Sequence, residues 1–279
     1  NFVINHTLTN GLQPGDSVII QDPVQSLLAY GNSGTIYVSR NSLRNASIDW
    51  LSIPGIVGGQ PLAMEFTPDG NHLFVGTTNG RLYRVSGFND VYNQTQAADT
   101  SNGGVLISTQ VASPGGSRAI TGIAIDPDAP NNVAFSVGGY GAHDRVFYSS
   151  EALTSQDVTS FASIDGDLPD IPAYDVIITK GANKHIVIGT YFGVYSSLVT
   201  NPDSWSNDNT GLPNVPVYAV RQQTNPWEIT EHTGVIYLGT HGRGIWTATL
   251  KELDGYEPPS YYAPPTIKSV VQESIENKN

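Results

Sequence analysis

Five times along the chain a β-rich run breaks at one or more glycines, and a second run follows with an aromatic residue at its heart. The copies are LLAYGNSGTIYVSR at 27–40, HLFVGTTNGRLYRVSG at 72–87, NVAFSVGGYGAHDRVFYSS at 132–150, HIVIGTYFGVYSSL at 185–198 and GVIYLGTHGRGIWTATL at 234–250. Glycine at the break supplies the backbone angles of a tight hairpin. The aromatics Tyr37, Tyr83, Phe147 (or Tyr148), Tyr195 and Trp246 supply bulk between packed sheets. Counting Phe147, they stand 46, 64, 48 and 51 residues apart.

A second element precedes the hairpins. LPDIPAYDVIIT at 168–179 and LPNVPVYAVRQQ at 212–223 share Leu, Pro, Pro, Tyr and Val in register. GLQPGDSVIIQDP at 11–23 is a looser copy, and ITGIAIDPD at 120–128 holds the same place before the third hairpin. A third element follows each hairpin, an outer strand marked by Trp50, by Leu106-Ile107, by Phe161 and by Trp205. Each unit of about 50 residues thus holds an inner strand, two hairpin strands and an outer strand, the signature of a β-propeller. The competing reading is a β-sandwich of unrelated hairpins; a right-handed β-helix needs a shorter period. No stretch before residue 250 sustains an i, i+3, i+4 apolar pattern, so little helix is expected.

The expected fold is all-β, a propeller of at least five four-stranded blades over 1–250, then a Pro-rich linker or tail over 251–279. FVINHTLTNGLQP at the start resembles SWSNDNTGLPNVP at 204–216, so Phe2–Ile4 is expected to be an outer strand. It either closes the ring onto the fifth blade or ends an earlier blade outside this chain.

The formal charge of −12 argues against nucleic acid or an anionic membrane as partner. No apolar run approaches the ~18 residues of a membrane span. With no cysteine there are no disulfides or thiolate metal sites. The start at Asn1, without Met or a secretion signal, suggests a processed or truncated piece of a longer chain.

The unit of strand, Gly-Thr, turn and Gly-(Ile/Val)-(Trp/Tyr), with its Leu-Pro-x-x-Pro-Val-Tyr lead-in, resembles the sortilin-like and sialidase-like propeller repeats of secreted bacterial proteins. GVIYLGTHGRGIW followed by a Pro-rich stretch is similar to surface proteins of Bacteroidetes, in which such propellers precede a C-terminal sorting domain (the type IX secretion route). The resemblance covers about 1–250 and implies a secreted or cell-surface location. One departure matters. The Asp-box Ser-x-Asp-x-Gly-x-Thr-Trp is degenerate in SRNSLRNASIDW at 39–50 and SSLVTNPDSW at 196–205, so no Asp-box marker carries over.

A sialidase-like enzyme needs three arginines on a carboxylate, a Tyr nucleophile and an acid, but the expected inner strands carry almost no Arg beyond Arg118 and Arg221. The best-marked arginines, Arg145 and Arg243, flank hairpin turns. A xyloglucanase-type glycosidase needs two opposed carboxylates. Asp126, Asp170 and Asp175 are candidates, yet Asp at strand ends is ordinary turn chemistry. DGDLPD at 165–170 offers three carboxylates that Ca²⁺ could use, without the spacing of a known calcium loop. The histidines (His6, His72, His143, His185, His232, His241) include no pair at zinc-ligand spacing.

What remains is the face carrying the hairpin turns. Tyr140, His143, Tyr191, Phe192, His241 and Arg243 stand there, and aromatics in solvent-facing turns mark recognition sites unless they pack against a neighbouring turn. No catalytic residue and no cofactor is assigned. The expected function is a non-catalytic extracellular module that binds a glycan or a protein partner or builds a surface assembly; the alternative is a glycoside hydrolase of xyloglucanase or sialidase-like type. Asn5, Asn45 and Asn93 open N-glycosylation sequons, and Asp16-Ser17-Val18 is similar to a Bacteroidetes O-glycosylation pattern.

Overall fold

The first runs of the second, third and fourth hairpins are apolar at nearly every position because both faces of those strands are buried. In β5 (His72–Thr77), Leu73 and Val75 point to one core while Phe74 points to another. Successive strand residues face opposite sides, so a strand between two packed sheets reads as a continuous apolar run. The computed structural model describes residues 27–249, apart from 41, 43–47, 57–58, 92, 102, 115–116, 142 and 226–231.

The described strands form five small antiparallel sheets in chain order. The first holds β1 (Leu28–Asn32), β2 (Thr35–Ser39) and β3 (Leu51–Ile53). The second holds β4 (Pro61–Phe66), β5, β6 (Leu82–Ser86) and β7 (Ile107–Ala112). The third holds β8 (Ile120–Ile125), β9 (Val133–Val137), β10 (Val146–Ser149) and β11 (Ala162–Ser163). The fourth holds β12 (Ala173–Ile178), β13 (His185–Thr190), β14 (Gly193–Leu198) and β15 (Asn201–Asn207), and the fifth β16 (Val217–Gln222), β17 (Val235–Thr240) and β18 (Ile245–Thr249). Three sheets have the expected four strands. The first and fifth show three among the described residues, and the stretches expected to complete them, 11–23 and Phe2–Ile4, lie outside that range, as does the tail 251–279.

One apolar core fills each gap between neighbouring sheets. Ile36, Ile53 and Leu73 meet between the first and second, Phe74, Ile120 and Phe135 between the second and third. Val146, Val176 and Ile186 meet between the third and fourth, Val187, Val220 and Leu238 between the fourth and fifth. Each fully buried Phe, Leu or Ile contributes roughly 1.5–3 kcal/mol. The 64-residue spacing has a local cause: α1 (Gln94–Ala98) is inserted after β6 and packs on β3. Its N-cap is Asn93, whose side chain accepts the Gln96 N–H at 3.0 Å.

The turn glycines Gly34, Gly80, Gly193 and Gly244 have the positive φ that a tight hairpin demands, but the glycine of the repeated Gly-Thr does other work. Gly76 and Gly189 sit inside strands, and what they supply is space. A Cβ on Gly76 would lie 2.5 Å from Cγ2 of Ile120, and one on Gly189 would lie 2.5 Å from the carbonyl oxygen of Val217. The next sheet's first strand is pressed against that bare backbone. The following threonine closes the turn. Thr77 Oγ1 donates to the Arg81 carbonyl at 3.2 Å, Thr190 Oγ1 to Gly193 at 2.9 Å and Thr240 Oγ1 to Gly244 at 2.7 Å. GTTNG, GTYFG and GTHGRG are therefore three versions of one Thr-capped turn.

Candidate binding face

The second-to-third-strand turns and the lead-ins to the first strands are tied to one end of the sheets by backbone hydrogen bonds. Thr78 N–H donates to Gln60, Gly138 to Ala119, Tyr191 to Pro172 and His241 to Pro216, all at 2.8–3.0 Å. Gly193 N–H reaches across to Val215, on the lead-in to the fifth sheet, at 3.1 Å. Turns of one sheet and lead-ins of the next thus share a surface, as the repeat pattern implies.

A bulge puts a side chain on this end of the first strand in the second to fifth sheets. The register with the second strand slips between Pro61 and Ala63, Ile120 and Gly122, Ala173 and Asp175, and Val217 and Ala219. The extra residues are Leu62, Thr121, Tyr174 and Tyr218, re-aimed out of the sheet. Tyr174 and Tyr218 stand 4.8 Å apart between ring centroids, and Tyr218 lies 5.7 Å from His241. Tyr191 lies 5.8 Å from Tyr140 and 4.8 Å from Phe192. Tyr174 joins the two groups, because its hydroxyl couples to that of Tyr140. The result is a continuous aromatic patch over the third, fourth and fifth sheets. It is open to solvent: Tyr140 is 66% exposed, Tyr218 50% and Phe192 47%.

Four of the six residues marked in the sequence, Tyr140, Tyr191, Phe192 and His241, come together here. His143 makes no ring contact with them; its Nδ1 faces the Asp144 carbonyl at 2.8 Å, and its enclosed Nε2 has no hydrogen-bond partner. Arg243 is exposed on its turn and its carbonyl accepts Trp246 Nε1–H at 3.0 Å. Arg145, the other turn arginine, is buried and ion-paired with Asp165 and Asp170. Tyr174 and Tyr218 were not marked, although both are the tyrosine of the Leu-Pro-x-x-Pro-x-Tyr repeat. That repeat signals strand register, and the bulge that turns the ring outward leaves no trace in it.

Neither Tyr174 nor Tyr140 is poised as a nucleophile. Burial, then the neighbouring Tyr140, Tyr218 and Tyr191, push the Tyr174 hydroxyl up to about 12, the opposite of what nucleophilic activation requires. Tyr140 is also raised, by loss of solvation first and then by Tyr191.

The carboxylates of the sequence reading are spent on structure. Asp126 accepts the N–H groups of Asp128 and Ala129 at 2.9 and 3.1 Å and pairs with Lys184. Asp165 Oδ1 accepts from Arg145 N–H and Val146 N–H, both at 2.7 Å, and Asp167 accepts Trp205 N–H at 2.7 Å. These bonds make DGDLPD a turn brace. In the next sheet Asn209 does the same work with a neutral amide, accepting Val194 N–H and donating to the Phe192 carbonyl, both at 2.8 Å. Among the described residues no group of three or more His, Cys, Asp or Glu could hold a metal ion.

One carboxyl that the sequence reading passed over remains. Glu65 on β4 reaches water yet has protein on most sides. Burial raises its pKa to about 6, against the pull of Arg221 and with a further push from Asp175. Asp175 is itself raised by burial, against the Arg221 guanidinium that pairs with it.

No protein-family model matches this sequence, and no curated protein sequence matches it. Solved structures do. Sqt1 of Saccharomyces cerevisiae is 15% identical with a TM-score of 0.51, over 81% of this chain and 57% of that one. Sqt1 of Chaetomium thermophilum is 15% identical with a TM-score of 0.55, over 81% of this chain and 54% of that one. A second structure of the latter protein gives 17%, 0.53, 77% and 51%. The chain thus spans about half the length of the structures it matches. Sqt1 is a β-propeller, and at these identities the likeness is one of fold.

Proposed function

We propose that the five sheets are consecutive blades of one propeller and that the chain is a non-catalytic module binding a glycan or a protein partner through its aromatic face. The observation that carries this reading is the contiguity of Tyr140, Tyr174, Tyr191, Phe192, Tyr218 and His241 over three sheets, in the open. Exposed aromatic patches of this kind cost free energy unless a partner covers them. In keeping with the resemblance of its repeats to sortilin-like and sialidase-like propellers, we place the module outside the cell or on its surface.

A glycoside hydrolase is the second reading, and Glu65 is the observation in its favour, since a carboxyl raised to about 6 suits a general acid. Its partner would have to be Asp175, which is buried and held by Arg221 and two backbone N–H groups.

A glycan array and a panel of candidate partner proteins, run beside reducing-sugar release from plant and bacterial polysaccharides, test the two readings. Binding lost in Tyr191→Ala/Tyr218→Ala, with no sugar released, supports the module. Turnover abolished by Glu65→Gln overturns it.

A further inference from the structure

Resting on the reading of the aromatic face as a binding surface, we infer that its occupant is the chain's own proline-rich stretch EPPSYYAPP, residues 257–265.

The chemistry of the face favours a peptide over a sugar. Sugar hydroxyls are held largely by amide and carboxylate side chains, and three of these near the patch are consumed: both ends of the Asn209 amide, Asp165 and Asp175 are bonded to backbone. What is left on the patch is ring faces, phenol hydroxyls and the His241 imidazole, with the exposed Arg243 on the neighbouring turn. Neighbouring rings are mutually tilted, at 58° for Tyr174–Tyr218, 69° for Tyr140–Tyr191 and 69° for Tyr218–His241. Clefts between tilted rings take prolyl rings, and phenol O–H groups are donors. A polyproline II segment offers both counterparts, since its prolines are preformed and its carbonyls have no internal partner.

The dimensions agree. Packed sheets lie ~10 Å apart, so a patch over three of them is about 20 Å long. Pro258-Pro259 and Pro264-Pro265 are six residues apart, which in polyproline II is two turns, or about 19 Å. Reach is sufficient too. β18 leaves the face at Ile245 and ends at Thr249, roughly 13–14 Å down the sheet. Residues 250–257 span at most about 26–29 Å, enough to return to the patch around Tyr174 and Tyr218 on the fourth and fifth sheets. A tether of this length holds the segment at roughly millimolar effective concentration, so a docking constant of about 100 μM gives about tenfold occupancy.

Tyrosine nitration of the full chain at low concentration, mapped residue by residue by mass spectrometry, tests this. The comparison is with the full chain carrying Pro258→Ala, Pro259→Ala, Pro264→Ala and Pro265→Ala. Tyr140, Tyr191 and Tyr218 are expected to nitrate about tenfold more slowly in the wild type, while Tyr30 reacts alike in both. A synthetic peptide of residues 255–268 restores protection to the variant, and its four-alanine form does not. Equal nitration in the two chains overturns the inference, as does protection that grows with protein concentration, which marks a second copy as the occupant. If nitration is equal but external binding still depends on Tyr191 and Tyr218, only the tail assignment falls. If Tyr191→Ala/Tyr218→Ala leaves every ligand and the tail unaffected, the binding face itself is refuted.

Discussion

The Asp175 carboxylate, on the fourth sheet, accepts the backbone N–H of Val220, on the fifth, at 2.9 Å. It does so from a position that the first strands of the second, third and fifth sheets fill with Ala63, Gly122 and Ala219. A Cβ on Gly122 would lie 2.7 Å from Asp175 Oδ1, so the third sheet also closes on it. The carboxylate ties the fourth sheet to the fifth and lies against the third, in a place where a glycosidase would need it free.

Asp175→Ala leaves the Val220 N–H and the Arg221 guanidinium without their acceptor. An unpaired buried donor and a lost charged hydrogen bond together cost about 2–3 kcal/mol, with Arg221 contributing little because it is largely exposed. Asp175→Asn keeps an acceptor for Val220 and is expected to cost less than half as much. Urea unfolding of both variants checks the order.

Glu65 sets a pH window. Its folded pKa of about 6 lies above the ordinary 4.5, so the folded state holds the proton more tightly. Stability from this group is present in full below pH 4.5 and is lost as pH rises to about 6. Glu65→Gln removes that dependence. Because the carboxyl reaches water, the gain at pH 7 is expected to stay under about 1 kcal/mol. Urea midpoints for wild type and variant should converge near pH 4 and separate by pH 7, with the variant higher.

Gly189→Ala drives a methyl group into the Val217 carbonyl and pries the fourth sheet from the fifth, at a cost of about 1–3 kcal/mol. Gly242→Ala meets nothing within 4 Å but must hold a φ of +74°, worth only about 1–2 kcal/mol. The separating measurement is an intersheet one. Trp246 packs on the core between these two sheets, and its fluorescence is expected to shift to the red in Gly189→Ala alone.

Spectrophotometric titration at alkaline pH addresses the aromatic face. The Tyr174 phenol, pushed up to about 12 by burial and by its tyrosine neighbours, is expected to ionise well after an ordinary tyrosine. Tyr174→Phe removes one late-titrating phenol and no early one. The fold is expected to lose stability from this group as pH rises from about 10 to 12, because the folded state keeps the proton that the unfolded chain releases.

Aspartate 165 is a brace that can be exchanged for its neighbour's residue. Asp165→Asn retains an acceptor for Arg145 N–H and Val146 N–H, as Asn209 does for Val194, and loses only the ion pair with Arg145. It is expected to cost about 1 kcal/mol, against about 3 for Asp165→Ala. Calcium added to the wild type should leave the thermal midpoint unchanged; a rise of several degrees contradicts the brace.

The repeat by itself determined that this chain makes small antiparallel sheets in series. Continuous apolar runs mark strands buried on both sides, Trp50, Leu106, Phe161 and Trp205 mark outer strands, and β3, β7, β11 and β15 begin beside or contain those residues. Periodicity carries this much because alternation and turn chemistry act between near neighbours in the chain. Tertiary structure alone decided the rest. That Gly76 and Gly189 make room for another sheet, and that Asp175 is a staple, depends on contacts across about 30–45 residues of chain. Tyr174 and Tyr218 reach the face because a bulge turns them outward, and Arg145 leaves it because Asp165 and Asp170 draw it inward. A local pattern names which residues form strands; where a polar or aromatic side chain points is settled by whichever distant groups can satisfy it.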